Sequence, residues 1–326
     1  MSIFRKLFGS IFLLLVMAPA ISDDEPNQVE DLKITILSTM MTQVGVGEWG
    51  FAALVEADGR QILFDTGNRP DTVLLNARTL DIDLSGVEEV ILSHNHGDHT
   101  GGLVRLRQEL SAQNSSAMSI AHVGRGIFWE RPGAGPRWAM APKKDAFEAA
   151  GGKFIEHAAA TEIHPGIWVT GPVPRTHPEK NYGMWVGDEH KTGEVVGPDG
   201  VIADNVPESM SMVINTSKGL VVISGCGHAG LVNTLEHATS LAGTDTIHAA
   251  LGGFHLLQAS DPHLEWTAGK LVDLGVENIV GAHCTGLEPV YRFRDLMDLD
   301  RSAAVVGATG ATFTLADGID PLSLSR

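Results

Sequence analysis

His94-Asn95-His96-Gly97-Asp98-His99 places three imidazoles and a carboxylate within six residues. Neutral imidazole nitrogens and carboxylate oxygens are the donors that zinc and similar divalent ions prefer. If the loop is extended, His94 and His96 face the same side and can share one ion. Asp98 and His99 lie beyond Gly97, where the chain can turn them toward a second. Gly101-Gly102 follows, small enough for the chain to enter a closely packed helix. The residues just before the loop, Glu89-Val90-Ile91-Leu92-Ser93, predict a short buried strand that delivers it.

Upstream of the loop, residues 33–39 are rich in β-branched side chains, and residues 49–57 and 61–65 are apolar runs. Asp58-Gly59 between the last two predicts a hairpin turn. Residues 70–80 and 101–110 predict helices, the second with Leu103, Leu106 and Leu110 on one face. Residues 124–205 are dense in Gly and Pro and predict an irregular insertion, broken by a helix over 143–150 and a strand over 166–170. Trp129, Trp138, Trp168 and Trp185 argue that this insertion is ordered. Beyond it, strands at 212–215 and 220–224 flank a Lys218-Gly219 turn. Helices at 230–241, 261–274 and 288–299 then alternate with strands at 247–251 and 278–281. Residues 303–306 and 311–315 close the chain as strands. Hairpins mixed with alternating strands and helices predict an α/β (α+β) chain with helix-covered sheets.

The whole chain has 326 residues and a formal charge of −17, which opposes a nucleic-acid partner because phosphate binding needs a basic face. Arg5 and Lys6, an apolar stretch over residues 7–17 and Ala18-Pro19-Ala20 have the pattern of a cleaved signal peptide over residues 1–20. The apolar stretch is shorter than the ~20 residues of a membrane span, so no stable membrane insertion is expected after cleavage. An uncleaved anchor is the alternative. Residues 21–32 are expected to form an acidic, flexible lead-in, and residues 33–326 one domain. Export would place the protein in the periplasm or outside the cell. Only Cys226 and Cys284 are present. They could pair, although each lies beside a histidine in a candidate site motif.

The H-x-H-x-D-H loop after a strand resembles the signature of the metallo-β-lactamase superfamily, and Phe64-Asp65-Thr66-Gly67 is similar to its acidic turn. The likeness runs on through Ser224-Gly225-Cys226-Gly227-His228-Ala229-Gly230, Gly252-Gly253-Phe254-His255-Leu256 and Ala282-His283-Cys284-Thr285-Gly286. Together these resemble the subgroup named for the archaeal dihydropterin–ribofuranosylaminobenzene phosphate synthase, most of whose bacterial members are described only as metallo-hydrolases. The resemblance implies a four-layer αβ/βα sandwich with the metals at the edge between two sheets. It implies His94, His96 and His228 on one metal, Asp98, His99 and His283 on the other, and Asp65 orienting the ligands by hydrogen bonds. Cys226 stands where many members carry an aspartate between the metals. It is either a thiolate ligand or a small buried residue, the latter favoured outside the cell because a thiolate oxidises. His255 either contacts substrate, stabilising a developing oxyanion, or is a packed core histidine.

The resulting expectation is an exported, metal-dependent hydrolase acting on a small-molecule ester, lactone, amide or phosphodiester. Two zinc ions, or manganese or iron in their place, would activate a hydroxide. Asp98 would hold it and pass on its proton, with His255 as the second catalytic residue. The alternatives are a synthase-type transferase on the same site, which an export leader opposes, and a diiron redox enzyme, which the intact His96 opposes. A non-catalytic metal-binding scaffold is a further reading, opposed by the complete donor set. Oligomeric state is not encoded in any motif.

Overall fold

The computed structural model describes residues 26–135, 138–186 and 189–323. The expected signal peptide lies outside the described residues. Among them, no helix is long and apolar enough to cross a membrane.

Two sheets face one another. The first has eight strands, in the order Gly318–Asp320, Thr312–Thr314, Leu32–Ser38, Ala52–Ala57, Arg60–Phe64, Glu89–Leu92, Ile120–Gly124 and Lys153–His157. The second has seven: Ala304–Val306, Asn278–Gly281, Ile247–Gly252, Gly219–Ser224, Met212–Thr216, Ile167–Val169 and Thr161–His164. Ile34, Ile36, Val55, Ile62, Phe64 and Ile91 from the first sheet meet Met212, Ile214, Val221, Ile223, Leu251 and Val280 from the second, forming the central core. The outer face of the first sheet buries Leu54, Leu63, Val90 and Leu92 against helices Thr72–Thr79, Leu103–Ser111 and Met140–Ala149. Val222, Ala250 and Ile279 on the outer face of the second sheet pack under helices Leu231–Ala242, Asp261–Asp273 and Glu288–Leu296. The layers therefore run helix, sheet, sheet, helix, the αβ/βα sandwich.

Asp58 and Gly59 both take positive φ, 48° and 78°, and close the hairpin in which Ala57 opposes Arg60. This is the left-handed turn that an Asp-Gly pair tolerates. In the first sheet, Arg60–Phe64, Glu89–Leu92, Ile120–Gly124 and Lys153–His157 are parallel. So are Gly219–Ser224, Ile247–Gly252, Asn278–Gly281 and Ala304–Val306 in the second. The loops bearing the candidate site histidines leave the C-terminal ends of these strands, where parallel α/β sheets collect functional groups.

The middle of the chain departs from expectation. Residues 124–205 are not an irregular insertion. The helix and strand expected there are present, as Met140–Ala149 and Ile167–Val169 of the second sheet, and the stretch also supplies edge strand Lys153–His157 to the first sheet and Thr161–His164 to the second. Two further strand pairs lie in the same stretch, Met184–Val186 with Glu189–Lys191 and Glu194–Gly197 with Gly200–Ala203. Edge strands such as Lys153-Phe154-Ile155-Glu156-His157 are largely exposed and have no apolar run to announce them.

Candidate metal centre

Asp65 follows the strand Arg60–Phe64 with φ of 58° and no solvent exposure. One carboxylate oxygen accepts the Ser93 backbone N–H at 2.7 Å. The other accepts the Ser93 hydroxyl and the His99 Nδ1–H, each at 2.7 Å. Having donated to Asp65, the Ser93 hydroxyl accepts from His94 Nδ1 at 2.8 Å. His228 Nδ1 donates to the Asn181 carbonyl. These partners fix the proton of His94, His99 and His228 on Nδ1 and leave a lone pair on each Nε2. The Nε2 atoms of His94 and His228 stand 3.2 Å apart. Two lone pairs at that separation repel unless a cation lies between them, so the donor chemistry fits a metal ion.

The donor atoms of His94, His96 and His228 lie within 4.8 Å of one another, and so do those of Asp98, His99 and His283. The structure thus gathers the two triads named from the sequence. Burial, reinforced by neighbouring imidazoles, pushes His94 and His228 well below the ordinary histidine range, and burial takes His96 down to about 3. For His99, burial acts downward, but the Asp65 carboxylate outweighs it and raises the group. Burial acts to raise Asp98, yet His283, His99 and His96 overcome this and hold it below the usual carboxylate range. Asp98 and His283 approach to 3.3 Å, but Asp98 Oδ1 and both His283 ring nitrogens are buried without a hydrogen bond. Such orphaned polar atoms are costly, and a cation would satisfy the lone pairs among them.

His255 lies within this cluster rather than apart from it. At φ of 50° its ring is 4.8 Å from that of His228, and its donor atom groups with those of Cys226 and His228. Its Nδ1 is buried without a hydrogen bond. Cys226 and Cys284 are free thiols with sulfurs 3.2 Å apart, and the Cys226 sulfur is 3.1 Å from His99 Nε2. Burial raises the Cys226 thiol well above its ordinary range and holds it protonated.

The surroundings explain this placement. A Cβ at Gly225 would come 2.0 Å from Ser93 Oγ and 2.6 Å from Asp65 Oδ2, so only glycine lets the strand end of the second sheet reach Asp65. Arg175 donates to the His228 carbonyl, while Glu179 accepts the Val232 and Asn233 N–H groups at the start of the following helix. Over the site, the rings of Trp138 and His96 are 4.6 Å apart and those of Trp49 and His283 4.8 Å. Glu208 accepts the Asn95 N–H and pairs with Arg131 at 2.6 Å. Neither Glu208 nor Asn181 stands out in the sequence, because no local pattern ties either to the loop. His122, His157, His164 and Glu89 form a separate polar cluster: His122 Nδ1 is 2.9 Å from His157 Nε2, and His164 is 2.6 Å from Glu89.

A family model described as the metallo-beta-lactamase superfamily matches residues 50–283. The chain is 29% identical over 285 residues to the 7,8-dihydropterin-6-methyl-4-(beta-D-ribofuranosyl)-aminobenzene-5'-phosphate synthase of Methanocaldococcus jannaschii, covering 82% of this chain and 92% of that protein. It is 30% identical over 253 residues to an uncharacterized protein of the same organism, covering 76% and 88%. Among solved structures, one described as Tm1679, a metal-dependent hydrolase of the beta-lactamase superfamily, aligns with a TM-score of 0.68 and 30% identity, covering 86% of this chain and 98% of its own. The hydrolase expectation is corrected by the first of these relatives. That protein, matched over nearly its whole length, has a named reaction and is a synthase, so the transferase alternative fits better. The metal donors serve both chemistries, and the histidine loop alone could not separate them.

Proposed function

The chain belongs to the metallo-β-lactamase superfamily, and on that premise we propose that it is a metal-dependent synthase joining two small ring-bearing molecules, one of them a phosphate ester. The observation that carries this reading is the match to the dihydropterin-type synthase over 92% of that protein's length.

The nitrogen-rich donor set suits zinc, with His94, His96 and His228 holding one ion and Asp98, His99 and His283 the other. When bound, such ions supply positive charge to an anionic leaving group. In the condensation, the attacking atom of one ring forms the new bond to the 6-methyl carbon of the other. The bond to the leaving group breaks with its electron pair, and a base takes the proton lost by the attacking atom. His255, beside His228 with its buried Nδ1 unpartnered, is the base we assign. Trp138 and Trp49 lie against the two ends of the cluster and limit the access of water, whose attack would compete with coupling.

The test incubates the metal-loaded protein with a dihydropterin carrying a leaving group on its 6-methyl carbon and an aminobenzene ribofuranosyl 5'-phosphate. Coupled product is read by mass spectrometry, beside a panel of esters and phosphodiesters. Coupling that disappears on chelation and returns with zinc is expected. Turnover of the panel with no coupling would overturn the proposal.

A further inference from the structure

Two recesses flank the metal cluster, and they differ in character. On the His283 side, a cleft of about 210 Å³ is lined by Met40, Met41, Ala282, Leu287 and Val306, with the Trp49 ring against His283. Its walls are apolar and suit a flat ring. On the His255 side lies a larger cavity of about 590 Å³, whose lining includes Lys180, Asn181, Tyr182, His255, Ser260 and His263. Among the described residues that line it, none is Asp or Glu, in a chain with 40 acidic side chains against 23 Lys and Arg. Lys180, His255 and His263 are among its lining residues, and each side chain carries nitrogen donors.

This cavity is joined to the metal cluster. The Asn181 carbonyl accepts from His228 Nδ1, and the Asn181 side-chain amide donates to the Phe254 carbonyl at 3.1 Å, so one fixed residue serves both. His255 lines the cavity and also packs on His228. The volume falls in the range of small-molecule sites.

Resting on the synthase reading, we propose that this cavity is the subsite for the phosphate-bearing end of the substrate, with Lys180 and His263 as its recognition residues. A local excess of nitrogen donors concentrates an anion that the acidic surface would otherwise repel. Lys180 supplies a charge-assisted hydrogen bond and His263 an imidazole N–H. The apolar cleft opposite takes a ring, so the two recesses fix the direction in which the substrate lies across the metals.

The experiment uses the full chain loaded with metal. Lys180→Ala, His263→Gln and the double variant are compared with the wild type on the phosphorylated acceptor and on the same acceptor without its phosphate. KM for the phosphorylated acceptor is expected to rise about 10-fold or more, and its advantage over the dephosphorylated one to fall toward unity. In parallel, inorganic phosphate is titrated calorimetrically into wild type and double variant at equal, measured metal content, and a similar weakening is expected. An unchanged phosphate affinity in the double variant overturns the subsite, because phosphate then binds the metals alone. Weakened phosphate binding in a protein that performs no coupling upholds the subsite while refuting the synthase reading.

Discussion

Asparagine at position 65 would test whether the metal donors are set by hydrogen bonds from behind. Asn tolerates the positive φ of 58° and nearly matches the shape of Asp, so the backbone need not move. The native carboxylate accepts three hydrogen bonds at 2.7 Å, from Ser93 N, Ser93 Oγ and His99 Nδ1. In the Asp65→Asn variant one oxygen keeps the Ser93 N–H, and an amide NH₂ replaces the oxygen that served two donors. The Ser93 hydroxyl can rotate and accept. His99 cannot donate to an NH₂, so its proton must move to Nε2, the atom that would hold the metal. Loss of such an outer hydrogen bond costs ~10–100-fold in metal affinity, or ~1.4–2.8 kcal/mol. Ser93→Ala should cost less, since it leaves the Asp65–His99 contact in place. The assay is competition with a chromophoric chelator, alongside a thermal melt of the apo-protein to confirm folding. Folded Asp65→Asn protein that binds metal as tightly as the wild type would refute the reasoning.

Gly225→Ala should destabilise the fold by ~1–3 kcal/mol through overpacking against Ser93 and Asp65, and should lower metal content; a urea transition unchanged from wild type would exclude that contact. Ile223→Ala, in the fully buried core between the sheets, should cost ~2–5 kcal/mol, read from the same denaturation curve; a shift below ~1 kcal/mol would mean the sheets are not packed there as described. Burial and the neighbouring His122 hold His157 down to about 4, against 6.5 for the free group. Between those values the unfolded chain binds a proton that the folded chain refuses. Its contribution is therefore complete above pH 6.5 and is lost as pH falls toward 4. His157→Gln should remove that part of the slope, and urea midpoints at about pH 7, 5.5 and 4.5 that fall in parallel for variant and wild type would disprove it.

Much of this architecture was legible because its signals are local. The Asp58-Gly59 turn and the apolar strand ending at Leu92 each need only a few consecutive residues to specify them. The histidine loop could be read in the same way, since its four donors are packed into one short stretch of chain. His228 and His283 were reachable through a second regularity, that parallel strands present functional groups at their C-terminal ends. What escaped lacks such a signal. Strand Thr161–His164 is polar and part-exposed at a sheet edge, so neither an apolar run nor strict alternation marks it. Asn181 meets His228 across 47 residues, and Glu208 meets Asn95 across 113; neither has a spacing rule to predict it.

The reaction class was hidden for a related reason. Six donors and an orienting aspartate establish that cations can be held, and the same set can favour attack by water or departure of an anionic leaving group. What divides those outcomes is which nucleophile reaches the ions first. That depends on the shell around them: Trp138 over His96, Trp49 over His283, and the Asn181 segment beside His255. Trp138, Asn181 and Arg131 come from residues 124–205, the Gly- and Pro-rich stretch whose strands the sequence did not mark, and Glu208, the partner of Arg131, lies just beyond it. If the shell decides the chemistry, Trp138→Ala should raise the ratio of hydrolysed donor to coupled product while metal content stays constant. An unchanged ratio would return the decision to the metal donors themselves.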